Sequence, residues 1–206
     1  MKIHDISMTI SEDMPVYKNL DKKKPKFINV DNYENASHYE TNLEINLHTG
    51  THVDFPLHMI ENGSTSDSER LSNYITQASV YDLTHLNECI KKEDIDRLGI
   101  KKGDFVLFKT KNSFDDAFNF EFVYVEKMAA KYLSELGVIG VGIDTLGIER
   151  AQKNHETHKY LLEKDIVILE GIRLKDIKPG NYQLIALPIK IKSVEASFCR
   201  AVLIES

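Results

Sequence analysis

The clearest pattern in the first half of the chain is strict alternation. Over residues 38–48 (HYETNLEINLH), Tyr39, Thr41, Leu43, Ile45 and Leu47 share one parity, while Glu40, Asn42, Glu44 and Asn46 share the other. Such a period of two marks a strand with one buried face. A strand is therefore predicted over 38–48, delivering His48 on the polar side, toward a cleft and not into the main core. Shorter strands are predicted over 3–10, 24–30, 78–83 and 104–109, with loops at 13–17, where Pro15 cannot join a ladder, and at 112–119. The second half brings helical spacing. Residues 125–136 carry Met128, Ala129, Tyr132, Leu133 and Leu136 on one stripe, with Gly137 as the stop. Residues 92–98, before Gly99, and 155–163 are also predicted helical. Apolar runs over 138–143, ending in Asp144, and over 165–172 read as buried strands, followed by late strands over 182–188 and 200–205. The order predicts an α/β fold, a single mixed α/β domain spanning residues 1–206 with more strand than helix.

Composition narrows the class without naming a chemistry. With 206 residues, 42% hydrophobic and 28% charged, the chain is long enough for one domain with a proper core. A net charge of −6 argues against a nucleic-acid partner. The one basic run, Lys22-Lys23-Lys24, is expected to be a solvated loop. No apolar run approaches the length of a membrane span, so no membrane partner is expected, and residues 1–5 lead straight into a strand-like segment without a secretory pattern. The two cysteines, Cys89 and Cys199, lie far apart in no metal-binding spacing. Reduced thiols and a cytoplasmic location are the expectation.

One stretch changes the picture: His48-Thr49-Gly50-Thr51-His52-Val53-Asp54-Phe55-Pro56-Leu57-His58. His48, His52, Asp54 and His58 share a parity, so an extended chain sends all four to one face. Gly50 and Pro56 argue against a helix there. Imidazoles and a carboxylate converging on one face suit a divalent transition metal. Ordinary satisfied histidines are the competing reading, and crowding of this kind is costly without a cation to share. The polar loop 61–68 is expected to rim the cleft. Downstream, His158 on a predicted helix and Glu170 at the end of an apolar strand could complete a second half of the site. Taken alone, His158 reads first as an ordinary helix residue, and Glu170 equally as a capped surface carboxylate.

The motif His48-x-Gly50-Thr51-His52-x-Asp54-x-Pro56-x-His58 resembles the signature of the cyclase-like metal-dependent hydrolases, which include bacterial kynurenine formamidase (arylformamidase) and isatin hydrolase. The resemblance extends to Asp5-x-Ser7, Met14 to Tyr17, His158-x-x-Leu161-Leu162, Ile168-Leu169-Glu170, Leu187-Pro188 and Arg200-Ala201. It implies a swivelling β/β/α-type fold and up to two divalent metals, zinc foremost, with manganese or iron also compatible. His48, His52 and Asp54 would hold one metal, His158 the second, and Asp54 and Glu170 would contact both. His58 would be the acid/base residue beside a metal-activated hydroxide, and Tyr17 would stack on the substrate ring. Phe55, beside Asp54 in the sequence, is a further wall candidate of our own reading. The implied activity is hydrolysis of an aromatic amide, foremost an N-formylkynurenine-type substrate, by a homo-oligomer, dimer or tetramer. Hydrolysis or cyclisation of another cyclic amide, lactone or ester, as in isatin hydrolase, is the alternative, and a metal-dependent binding module without catalysis is a third. The departures lie in the pocket: Tyr17-Lys18-Asn19 stands where the formamidases carry Trp-Pro-Gly, Ala196-Ser197-Phe198 replaces a Gly-Ser-Pro-like segment, and Asp144-Thr145-Leu146-Gly147 lacks a serine.

Overall fold

The computed structural model describes residues 1–205. Nine strands make one mixed sheet in the order β1 (Lys2–Asp5), β13 (Val202–Glu205), β11 (Gly180–Ile185), β5 (Ile75–Asp82), β7 (Phe105–Lys109), β9 (Gly140–Ile143), β10 (Val167–Glu170), β4 (His52–Asp54) and β12 (Ala196–Phe198). The middle of the sheet, β5-β7-β9-β10, is parallel, and the flanking pairs are antiparallel. Parallel strands are covered on both faces, which is why β7, β9 and β10 read as unbroken apolar runs. Alternation splits them between two cores. Val106, Phe108, Val141, Ile143 and Ile168 pack under the helices, with Leu133 of α2 (Lys127–Leu136) and Leu161 of α3 (Glu156–Leu162). Phe105, Leu107, Val167, Leu169, Val53 and Phe55 pack on the other face with Leu184 and Leu203.

The helix over 125–136 forms as its stripe predicts. Glu126 caps its N-terminus, its side chain accepting from Met128 N at 2.7 Å, and Gly137 ends it in the left-handed region at φ 79°. Helix α1 is shorter than its predicted span, Lys92–Ile95. Strand β12 carries no alternation in the sequence and is set by pairing with β4. Two short strands, β6 (Cys89–Ile90) and β8 (Tyr124–Val125), pair apart from the main sheet. No helix is long and apolar enough to cross a membrane among the described residues.

The prediction over 38–48 needs correcting. Only Glu40–Glu44 is a strand, β3, and it pairs with β2 (Lys26–Asp31) in a separate two-stranded hairpin. Its apolar parity is not buried in the core: Tyr39 and Leu43 are exposed, as are Phe27, Ile28 and Val30 opposite. The alternation is real but answers to no layer of this chain. Beyond Glu44 the chain turns, with Thr49 N donating to the Asn46 carbonyl at 3.0 Å and Gly50 left-handed at φ 71°. His48 therefore rides on a turn, not on a strand end.

A close backbone contact fixes where that turn meets the sheet. Gly171, just past β10, has φ 68°, and a Cβ there would stand 2.3 Å from the Gly50 carbonyl oxygen. Thr51 Oγ1 donates to the Gly171 carbonyl at 2.7 Å across the same junction. Gly171→Ala is expected to destabilise the fold by roughly 2 kcal/mol or more, because neither the dihedral nor the backbone neighbour can yield. Urea denaturation would check this, and a loss under about 0.5 kcal/mol would contradict the contact.

Candidate metal centre

Strand β4 is three residues long, and its parity decides the chemistry. Val53 points into the sheet's far core, while His52 and Asp54 point to the helical face. On that face His52 stands opposite Glu170 of β10 in an antiparallel register. His158 arrives from α3, His48 from the turn before β4 and His58 from the 3-10 turn Pro56–His58 after it. The convergence expected of one extended run is thus made by a short strand with a turn at each end.

Asp54 and Glu170 lie side by side, each sending one oxygen toward His52 and the other toward His158. His52 Nε2 is 3.5 Å from Asp54 Oδ1 and 3.4 Å from Glu170 Oε2. His158 Nε2 is 3.5 Å from both Asp54 Oδ2 and Glu170 Oε1. His48 Nδ1 adds a contact of 2.9 Å to Asp54 Oδ1. His52 Nδ1–H donates to the Gly50 carbonyl at 2.9 Å, which aims Nε2 into the centre. Glu170 Oε1 accepts from Ile148 N at 2.6 Å. His52, Asp54, His158 and Glu170 are all buried. Yet His52 Nε2, both Asp54 carboxylate oxygens and His158 Nδ1 have no protein hydrogen-bond partner. Burying such atoms unsatisfied is expensive.

A divalent metal resolves the anomaly. Tetrahedral bonds of about 2.0–2.2 Å place neighbouring ligand atoms about 3.3–3.6 Å apart, the spacing of these donors. Neutral imidazoles with carboxylates and no thiolate suit a borderline-hard divalent ion. The residues fit the group.

The electrostatics agree. Burial alone favours a neutral His52, but the facing Asp54 and Glu170 carboxylates overcome it and push the ring up to about 10. Burial likewise opposes, and Asp54, Glu149 and Glu170 together outweigh it, for His158, which is raised. Burial would raise Asp54, yet the histidines hold it well below the usual carboxylate range. His58 differs: burial dominates and pushes it down to about 4, leaving a neutral ring. That ring lies 4.2 Å from His48 and 5.4 Å from His158, centroid to centroid, and makes no hydrogen bond among the described residues.

The centre opens into a cavity of about 450 Å³. Tyr17 forms one wall, its ring held edge-on by Phe118 at 5.3 Å and 72°. Phe55 is not a wall: with the parity of Val53 it is buried in the opposite core, 1% exposed. Nor does the loop 61–68 rim the cavity. Its Ser66 and Asp67 bond the 191–194 backbone instead. Glu149 is absent from the expected set. It is buried beside His158, its Oε1 3.2 Å from His158 Nδ1, and it also binds the His155 ring. The only sequence signal for it is a carboxylate among buried neighbours, Leu146 to Ile148, which no periodicity separates from a surface loop. Asp144 proves structural, accepting from Thr110 N, Thr110 Oγ1 and Ser113 Oγ at 2.6–2.7 Å. The basic run is divided: Lys22 is exposed, Lys24 pairs with Asp21 at 3.0 Å, and Lys23 turns into the cavity.

The Cyclase family model ("Putative cyclase") matches residues 4–150. A kynurenine formamidase of Salinibacter ruber is 32% identical over 206 residues, 98% of this chain and 97% of its own length. Among solved structures, a predicted metal-dependent hydrolase from Bacillus stearothermophilus is 47% identical with a TM-score of 0.91, covering 98% of this chain and 97% of that one. Isatin hydrolase A from Ralstonia solanacearum shares the fold, at a TM-score of 0.85 and 21% identity, over 99% of this chain and 92% of its own.

Metal and proton compete for the same nitrogen. Because the carboxylates hold a proton on His52 up to about pH 10, a metal must displace it at neutral pH. Zinc affinity is expected to rise between about pH 6 and 9, by about tenfold per unit for each proton displaced. Competitive chelator titration would measure this, and a flat affinity over that range would refute the shared site.

Proposed function

The chain belongs to the cyclase family of metal-dependent hydrolases, and on that premise we propose that it hydrolyses an aromatic amide, foremost an N-formylkynurenine-type substrate, as an arylformamidase. The observation that carries this reading is the buried facing of Asp54 and Glu170 with His52 and His158, in which His52 Nε2 and both Asp54 carboxylate oxygens lack protein hydrogen-bond partners. His48, His52 and Asp54 would hold one cation and His158 a second, with Asp54 and Glu170 within reach of both. Zinc is the foremost candidate, and manganese or iron suits the same donors. When bound, the metal supplies Lewis-acid polarisation of a carbonyl and lowers the pKa of water to about 7.

The chain's own residues do the rest. Tyr17 offers a ring face on the cavity wall, suited to stacking a planar substrate. Beside the ligands, the His58 ring makes no hydrogen bond among the described residues and is neutral, able to take a proton. It accepts a proton from the attacking water and returns it to the departing nitrogen as the C–N bond breaks, giving a carboxylic acid and an amine. Glu149 steadies the outer nitrogen of His158, as a carboxylate behind a metal-bound histidine does. The Lys18-Asn19 departure beside Tyr17 favours, as a second reading, a cyclic amide or ester of similar shape. The exposed apolar hairpin β2–β3 is consistent with a homo-oligomer, since an isolated hairpin is marginal in water.

Chelator treatment is expected to abolish hydrolysis of N-formylkynurenine and zinc or manganese to restore it; turnover that survives complete metal removal would sink the proposal. The roles within the site separate by variant. His58→Ala is expected to keep nearly full metal content while kcat falls about 10²-fold or more, whereas His52→Ala loses metal and activity together. If His58→Ala empties a site as thoroughly as His52→Ala, His58 is a ligand. Tyr17→Ala should raise KM for aromatic substrates, and an unchanged KM for all of them would rule out stacking.

A further inference from the structure

Metal and proton chemistry leave three cations of the cavity without a task. Lys18, Lys23 and Lys153 all line it, in a chain whose net charge is −6. Some surface lysines pair with a carboxylate, as Lys24 does with Asp21 and Lys26 with Glu44, and others face solvent; these three face the cavity instead. Among the described residues none of the three cavity lysines has a carboxylate partner. Two of them flank the same aromatic wall, with the Lys18 and Lys23 amines 5.2 and 5.4 Å from the Tyr17 ring centroid.

Lys23 is not a drifting surface chain. Its N–H donates to the Leu20 carbonyl at 2.8 Å, and its own carbonyl accepts from Thr49 Oγ1 at 2.8 Å. Thr49 is buried and adjoins His48, so the turn that carries a candidate ligand also anchors Lys23. The side chain is half-buried, and burial holds its ammonium below the usual lysine value, against the pull of Glu170 and Asp54. Lys18 is held by a backbone that side chains rarely adopt, φ 57° followed by 52° at Asn19. A partly desolvated cation without an anion, at the rim of a flat aromatic wall, is what a carboxylate-bearing ligand needs.

We infer that Lys23, with Lys18 beside it, forms the subsite that receives the carboxylate of a planar amide substrate, away from the scissile bond. This rests on the hydrolase reading only for the word substrate; the anion subsite stands on the lysines and the Tyr17 wall. Neutral aryl amides would then reach the same centre without this contact and bind less well. The orientation follows: ring on Tyr17, carboxylate at Lys23, and the acyl carbon inward toward Asp54, Glu170 and His58.

The test measures binding as well as turnover, on metal-loaded protein. Benzoate, 3-phenylpropionate and 4-phenylbutyrate are titrated by calorimetry beside their carboxamides, with wild type, Lys23→Met, Lys23→Arg and the paired neighbour Lys24→Met. At least one carboxylate is expected to bind about tenfold or more tighter than its amide. That preference should shrink to within about twofold in Lys23→Met at unchanged metal content, and persist in Lys23→Arg and Lys24→Met. A preference that survives in Lys23→Met places the anion on the metal and overturns the inference, as does the absence of any preference in wild type. In parallel, 2-formamidobenzoate and formanilide are compared as substrates. Lys23-dependent carboxylate binding without turnover of any amide would leave the subsite standing and remove the hydrolase reading. Turnover of amides without Lys23-dependent anion binding would do the reverse.

Discussion

The structure depends on the burial of opposite charges that cannot satisfy each other by hydrogen bonds alone. Asp54 and Glu170 sit side by side with Asp54 only 2% and Glu170 3% exposed. Two carboxylates so placed repel, and each has left water behind, a cost of several kcal/mol per ion before compensation. His52 and His158 are the compensation, one at each end of the carboxylate pair. Whether they hold protons or share a cation, positive charge stays between the oxygens. Everything else near the centre serves to bring four side chains into that small volume.

Strand β4 achieves this through brevity. Three residues suffice to place His52 and Asp54 on one face and Val53 on the other, and the flanking turns are free to swing His48 and His58 inward. Pairing on both edges, with β10 and β12, holds so short a strand in place. The approach of Gly171 to Gly50 sets the height of the turn against the sheet, which in turn sets where His48 and Lys23 stand.

How much of this was legible in the sequence varies with the kind of force involved. Local rules read well: the α2 stripe and its glycine stop, the buried parallel strands, and the parity that sends His52 and Asp54 together. The family motif pointed to His158 and Glu170, which local pattern left ambiguous. The misreadings are tertiary. Alternation over 38–48 cannot say whether its apolar parity meets a core, and here it stands in an exposed hairpin. Phe55 was placed in the cavity by closeness in sequence, but period two sends it with Val53 to the opposite core. Lys23 reads as one of three equal lysines, and only the bond from Thr49 distinguishes it. Glu149 is placed by a loop that no pattern marks. The strand β12 exists because β4 offers it an edge.

The pairing of β4 with β10 joins residues more than a hundred positions apart, and this bears on the order of events during biosynthesis. A chain still on the ribosome has made the His48 to His58 stretch long before the strand that carries Glu170. Until β10 emerges, Asp54 and His52 have no partner across the sheet and their strand edge is open. The centre can therefore mature only after nearly the whole polypeptide has been synthesised and the parallel core has closed.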